Sequence, residues 1–178
     1  MSNSPVDTSL LRRALGAFVT GVTVVTTRDA AGEPVGLTVN SFNAVSLSPP
    51  LVLWSLATKA ASYDAFRKAE HFAVNILSAG QKNLSERFAK TGGEKFAEIP
   101  WQDGVAGMPL LDGVSASFTC RNLHQYPGGD HLIFIGEVLD FHQHGEPPLV
   151  YANGRYARLE DSGSSASPGH TGDAVAAR

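Results

Sequence analysis

Cysteine occurs once in 178 residues, at Cys120. One thiol excludes an intramolecular disulfide and any zinc site built from several cysteines of one chain, and it predicts a reducing cytoplasm as the location. Charge is scarce too: 17% of residues are Asp, Glu, Lys or Arg, and 14 basic against 17 acidic side chains leave a net charge of -3 with no basic run. A nucleic-acid backbone calls for the opposite balance, so nucleic acid is not an expected partner. No stretch approaches the roughly 18 uninterrupted apolar residues of a membrane span, and residues 1–8 carry neither the basic nor the apolar part of a signal peptide. The chain therefore reads as soluble and unexported, with no membrane partner.

Several familiar motifs are missing as well. There is no Gly-x-Gly-x-x-Gly, Gly-x-x-x-x-Gly-Lys, Gly-x-Ser-x-Gly or His-Glu-x-x-His, which removes the sequence support for Rossmann, P-loop, serine hydrolase and zincin chemistry. His124, His131, His142 and His144 fall on or beside one predicted hairpin, where alternating positions share a face. No carboxylate is placed to complete a ligand set, and His142 and His144 stand next to Gly145 at a strand end. No metal site is expected.

What is present is an ordinary globular composition, 43% hydrophobic, long enough for one domain with a real core. Residues 162–172 hold four Ser, three Gly and one Pro without apolar periodicity, so the domain is expected over 1–160 and a flexible tail over 161–178. Leu10, Leu11, Ala14, Leu15 and Phe18 recur at helical spacing, with Asp7, Thr8 or Ser9 to cap the start. The β-branched run 21–27 and the segment 35–42 read as a hairpin around the turn cluster 29–34, and the apolar run 51–56 reads as a central strand. Helical patterns follow at 60–70 and 81–90, separated by a strand at 72–77 and stopped by Gly92 and Gly93. An irregular stretch through Pro100 and Pro109 leads to two long alternating runs, 114–126 and 131–142, joined at residues 127–130. Short strands at 149–151 and 155–159 end the pattern. Many hairpin-connected strands with a few short helices predict a mainly β fold, a small antiparallel barrel.

Three segments together are specific. Phe18-Val19-Thr20-Gly21-Val22-Thr23-Val24-Val25-Thr26-Thr27 is followed by Gly36-Leu37-Thr38-Val39-Asn40-Ser41-Phe42 and by Val45-Ser46-Leu47-Ser48-Pro49-Pro50-Leu51-Val52-Leu53. With Phe72-Ala73-Val74-Asn75-Ile76-Leu77, Glu86-Arg87-Phe88-Ala89, Gly129-Asp130-His131 and Gly154-Arg155-Tyr156, the set resembles the short-chain flavin reductases, the reductase components of two-component monooxygenases. The resemblance covers about residues 8–159. It implies an antiparallel FMN-binding split β-barrel, a homodimer, hydride transfer from NADH or NADPH to FMN or FAD, and delivery of reduced flavin to a separate oxygenase component. A split barrel that holds FMN tightly and acts directly on a small molecule, and a non-catalytic flavin-binding barrel, are the alternatives.

The resemblance also implies roles. Thr38, Val39, Asn40 and Ser41 would line the isoalloxazine and ribityl chain; by pattern alone, Asn40 and Ser41 either meet a ligand edge or face water at a strand end. Ser55, Leu56, Ala57, Lys59, Ala60 and Ser62 would surround the flavin phosphate, with Lys59 and Ser62 as its side-chain contacts. The family often carries a second hydroxyl near Ala60, which would shift weight here to backbone donors; without the resemblance, Ser62 is a helix cap and Lys59 a solvated charge. Phe88 would belong to the apolar wall, or to the core. His131 would position the nicotinamide ring, the catalytic assignment for this chain, although Asp130 and His131 also read as the exit of a turn. Tyr156 would close the same pocket. Deletion of residues 162–178 is expected to leave melting temperature and activity unchanged; a large fall in melting temperature refutes the tail.

Overall fold

The computed structural model describes residues 6–159, so the tail expected over 161–178 lies outside the described residues. In chain order the elements are α1 (Thr8–Leu15), β1 (Thr20–Gly21), β2 (Thr23–Arg28), β3 (Pro34–Val39), β4 (Asn43–Leu47), β5 (Pro50–Ala57), α2 (Tyr63–Lys68), β6 (His71–Ile76), α3 (Lys82–Ala89) and β7 (Trp101–Asp103). A 3-10 turn (Val105–Gly107) then precedes β8 (Pro109–Leu111), β9 (Ala116–Gly128), β10 (His131–Gln143), β11 (Val150–Ala152) and β12 (Arg155–Ala157). The mainly β expectation holds: seven strands form one antiparallel sheet in the order β3-β2-β6-β9-β10-β5-β4, beside a small β1-β11-β12 sheet and a β7-β8 pair. No helix among the described residues is long and apolar enough to cross a membrane.

Strand β2 shows why one run of β-branched residues can hold the middle of the fold. Residues 23–27 are buried without interruption, and because side chains alternate across a strand, Val25 enters one core while Val24 enters another. The first core centres on Trp54 of β5, stacked on Phe134 of β10 at 4.5 Å and 10° and edge-on to Phe66 at 5.1 Å and Phe72 at 5.7 Å. Such pairs contribute about 0.5–1.5 kcal/mol each beyond simple burial. Phe66 is the side chain by which α2 docks on this core, and Phe88 is the one by which α3 docks on the second. The small sheet is tied to the large one through backbone bonds from Val22 N–H to the Leu149 carbonyl and from Leu149 N–H to the Leu77 carbonyl.

Several elements differ from the sequence reading. The helix expected over 7–18 runs over Thr8–Leu15, capped by the Asp7 carboxylate, which accepts from Ser9 N–H at 2.8 Å and Leu10 N–H at 3.1 Å. Its apolar stripe is not a core face, since no residue of α1 is buried. The strand expected over 35–42 stops at Val39, and a separate edge strand β4 follows a three-residue corner. The helix expected over 60–70 is only Tyr63–Lys68, because Ala60 N–H is already turned back to the Ala57 carbonyl. The β7-β8 pair hides in the stretch read as irregular, its three-residue strands being too short to show periodicity. The turn of the long hairpin is Gly129-Asp130 alone, with Gly129 at φ 70°.

Asn75 explains how β6 and the β7-β8 pair are held together. Fully buried, its amide donates to the Val24 carbonyl at 3.1 Å and its Oδ1 accepts from Leu111 N–H at 2.9 Å. Nearby, Thr26 Oγ1 donates to the Pro109 carbonyl at 2.6 Å. Asn75→Ala strands a buried donor and acceptor and is expected to destabilise the fold by about 2–4 kcal/mol, read as a lower urea midpoint with unchanged slope.

Candidate functional site

Strand β10 pairs with β5 from His131 opposite Ala57 to Glu137 opposite Leu51. This register sets the turn after β9 beside the turn after β5. The junction is fastened at one atom: the Asp130 carbonyl accepts from Thr58 N–H at 3.0 Å and from Thr58 Oγ1 at 3.2 Å. Ser55, Ala57, Lys59 and His131 are thereby gathered at one end of the β5-β10 pair. His131 Nδ1–H donates to Asp130 Oδ1 at 2.7 Å, since a carboxylate only accepts, and Nε2 is left as the outward nitrogen of a side chain 43% exposed. That hydrogen bond, the imidazolium charge and the Lys59 ammonium hold the Asp130 carboxyl below the usual carboxylate range. A lowered carboxyl contributes stability above the ordinary range, and the contribution is lost as pH falls through the lowered value.

Past Ala57 the chain makes a tight turn rather than a long helix. Thr58, Ala60 and Tyr63 direct their N–H groups to internal carbonyls, whereas among the described residues those of Lys59, Ala61 and Ser62 take no internal partner. Ser62 makes no side-chain cap bond to α2, so its hydroxyl is not engaged as the ordinary cap that its position predicted. Three backbone donors, a hydroxyl and the exposed Lys59 ammonium on one short segment fit the demands of a phosphate.

Two clefts flank this segment and the β3-β4 corner. The first, of 580 Å3, runs between β3, residues 60–62, the end of α3 and residues 90–97, and takes in Thr38, Ala60, Ser62 and Phe88. The second, of 1330 Å3, lies between α1, the corner and the β11-β12 turn, and takes in Asn40 and Ser41. The stretch 38–41 therefore spans both. Its side chains differ in availability. Thr38 Oγ1 donates to the Ser85 carbonyl at 2.7 Å, and Val39 packs on the first core. Ser41 Oγ accepts from Ser55 N–H at 3.0 Å and donates to the Ser55 carbonyl at 3.1 Å. Strand β4 pairs with β5 only as far as Leu53, so Ser41 satisfies the backbone that β4 leaves uncovered.

Leu56 is buried in the first core and offers only its backbone. Phe88 is likewise buried, its ring 2.7 Å from where a Cβ on Gly36 would stand, which is why β3 carries a glycine there. Tyr156 belongs to the small sheet: its hydroxyl meets Ser85 Oγ at 3.0 Å and its ring packs edge-on against Tyr151. It is not gathered with His131. Cys120 is buried, and burial pushes its thiol up to about 12, far from a nucleophile's range. Among the described residues no three metal-ligating side chains converge.

Sequence reasoning missed Thr58, the residue that fastens the two turns, and Lys95. Lys95 Nζ donates to the carbonyls of Gly36 at 3.2 Å and Phe88 at 3.0 Å, and burial lowers its ammonium pKa below the usual lysine value. Neither left a signal, because Thr58 lies in a turn and Lys95 in an aperiodic loop.

Comparison with known proteins bears on this arrangement. Residues 15–160 match the flavin reductase like domain. The chain is 46% identical over 148 residues to an FMN reductase (NADH) of Agrobacterium fabrum, covering 83% of this chain and 84% of that protein. It is 46% identical over 146 residues to the reductase component of a flavin-dependent trigonelline monooxygenase of Acinetobacter baylyi, covering 82% of this chain. The chain spans about half the length of some curated relatives, 47% of that component and 56% of a probable flavin reductase of Rhizobium meliloti, to which it is 42% identical over 97% of its own length. An NADH:FAD oxidoreductase of Streptomyces globisporus, solved with NAD and FAD fragments, superposes with a TM-score of 0.84 at 38% identity, covering 91% of this chain and 98% of that one.

Proposed function

Because the chain belongs to the flavin reductase like family, we propose that it is an NAD(P)H:flavin oxidoreductase that reduces FMN or FAD and releases the reduced flavin to a separate monooxygenase component. The observation that supports the reading is the junction at Asp130, which brings a turn with free backbone donors and an exposed, oriented imidazole to one end of the same strand pair. When bound, the flavin supplies the acceptor for the nicotinamide hydride.

The protein's own task is positioning. Lys59 and the N–H groups of Ala61 and Ser62 hold the flavin phosphate, with Ala60 keeping the turn close to it. The backbone of residues 38–41 and of Ser55, Leu56 and Ala57 borders the isoalloxazine, and Asn40 is the side chain free to read its edge. Phe88 supports this wall from beneath β3, and Tyr156 supports it at one remove, through Ser85 and Thr38. His131, its ring fixed by Asp130, orients the nicotinamide ring on the open side. Holding two rings at reactive distance requires no nucleophile, and proximity and orientation alone supply a large part of the rate.

The split barrel and the homodimer belong to the same proposal. Support for a curled sheet comes from Ser41, which ties the corner between the edge strands β3 and β4 onto β5. Support for a second copy comes from apolar side chains with no cover in one chain: Leu47 is 95% exposed on β4 and Phe141 64% on β10, near Val45 and Leu139. A reducing cytoplasm suits the one buried thiol.

Oxidation of NADH and NADPH in air, followed with added FMN, FAD, riboflavin or none, is expected to saturate with added flavin. Turnover indifferent to added flavin replaces the reading with a tightly held prosthetic group, and absence of turnover with every pairing replaces it with a binding module. His131→Ala is expected to raise KM for the nicotinamide donor about ten-fold with a smaller change for flavin; unchanged kinetics remove His131 from the site. Light scattering is expected to give twice 18.8 kDa, and 18.8 kDa at micromolar concentration refutes the dimer.

A further inference from the structure

Thr58 does more than close a turn. Its N–H and its Oγ1 both reach one acceptor, the Asp130 carbonyl, at 3.0 Å and 3.2 Å. That carbonyl belongs to the peptide unit that joins Asp130 to His131, and a peptide unit is planar. Two donors on its oxygen restrain the soft dihedrals on either side of it, ψ of Asp130 and φ of His131. The Asp130 side chain in turn orients the imidazole, since its carboxylate accepts from His131 Nδ1–H at 2.7 Å. Backbone and side chain of one residue thus pass the placement of Thr58 on to the ring of His131.

The hairpin turn lacks other restraints of its own. Gly128 and Gly129 enter it, Gly129 at φ 70°, and glycines hold no single backbone conformation unaided. Among the described residues nothing beyond its chain neighbours comes within 4 Å of where a Cβ on Gly129 would stand, so packing does not hold the turn there.

The segment that carries Thr58 is anchored at both ends and loose between them. At one end Ala57 pairs with His131 in the β5-β10 ladder. At the other, α2 is docked by the buried Phe66, and the carbonyls of Phe66 and Ala69 accept from Asn122 Nδ2 at 3.3 Å and 2.9 Å. Between these anchors the N–H groups of Lys59, Ala61 and Ser62 take no internal partner among the described residues. A phosphate bound there supplies the missing bonds and restrains Thr58 along with its neighbours.

Resting on the flavin reading above, we propose that Thr58 is a positioning residue that couples the two substrates: a phosphate held beside Lys59 tightens the binding of a nicotinamide ring at His131 through the grip of Thr58 on the Asp130 carbonyl. No rearrangement of the fold is required, because the restraint supplied by the first ligand lowers the ordering cost of the second. The coupling is reciprocal, so a bound nicotinamide tightens a phosphorylated flavin by the same factor.

Riboflavin carries the ring of FMN without its phosphate and isolates the effect. With oxidised NAD as the probe, which has no hydride to transfer, calorimetry reads its affinity for the full chain saturated with FMN and saturated with riboflavin. The wild type is expected to bind NAD about five-fold more tightly beside FMN, the low end of ordinary coupling between sites. Thr58→Val keeps the N–H and the shape and deletes the hydroxyl of an exposed side chain. It is expected to bring the ratio below about two-fold, and Thr58→Ser to restore it. Equal affinities in the wild type, a ratio that Thr58→Val leaves unchanged, or a Thr58→Ser protein that behaves like Thr58→Val overturns the coupling and leaves the flavin reading standing. If no flavin binds, that reading falls instead, and the nitrogen chemical shifts of the His131 ring decide for Thr58. A proton held on Nδ1 in the wild type and Thr58→Ser, but shared between both nitrogens in Thr58→Val, keeps it as a positioning residue; the same tautomer in all three removes it.

Discussion

Strand β10 is thirteen residues long and lies between β9 and β5, and the register of this three-strand ribbon is the constraint on which the rest of the molecule depends. A slip of one residue would turn Trp54 and Phe134 out of the core and replace them with polar neighbours. The same slip would separate Asp130 from Thr58. Core and site are thus specified by one alignment. The irregularities in the β9-β10 ladder, between Ile135 and Gly136 and between Val138 and Asp140, sit away from the turn and leave the site end regular.

The site end is polar and exposed, whereas the ribbon beneath it is aromatic and dry. That division lets one segment be rigid and accessible at once. Thr58 and Asp130 lock backbone to backbone, while Lys59 and the outward nitrogen of His131 remain free to meet a ligand. The Asp130 carboxylate adds direction: exposed itself, it holds the imidazole ring in one orientation. Thr38 and Ser41 work in the same manner at the β3-β4 corner, their hydroxyls engaged by Ser85 and Ser55, so that the backbone they carry is held still.

The second cleft and the unburied stripe of α1 show the limit of a single chain. Leu15 is 66% exposed and Phe18 73%, and among the described residues one backbone bond joins the end of α1 to the β11-β12 turn, from Asn153 N–H to the Gly16 carbonyl at 2.6 Å. A helix with a capped start and an apolar stripe is stable in context only when that stripe is covered. A second copy of the chain is the cover that the proposed dimer supplies, and it would lie along the wall formed by Asn40 and Ser41.

Local pattern in the sequence was enough for the elements whose residues carry their own periodicity: the buried run of β2, the alternation of β9 and β10, and the helical patterns of α1 and α3. The set of short segments from Phe18 to Tyr156 was enough for the family. Tertiary structure alone decided which polar groups are free. The resemblance implied that Ser41 and Thr38 are ligand contacts, yet their hydroxyls are taken by backbone from strands and helices distant in sequence. Thr58 and Lys95, unmarked by any pattern, became junctions because hydrogen-bond partners are chosen by distance in space, and that distance exists only after the strands have paired.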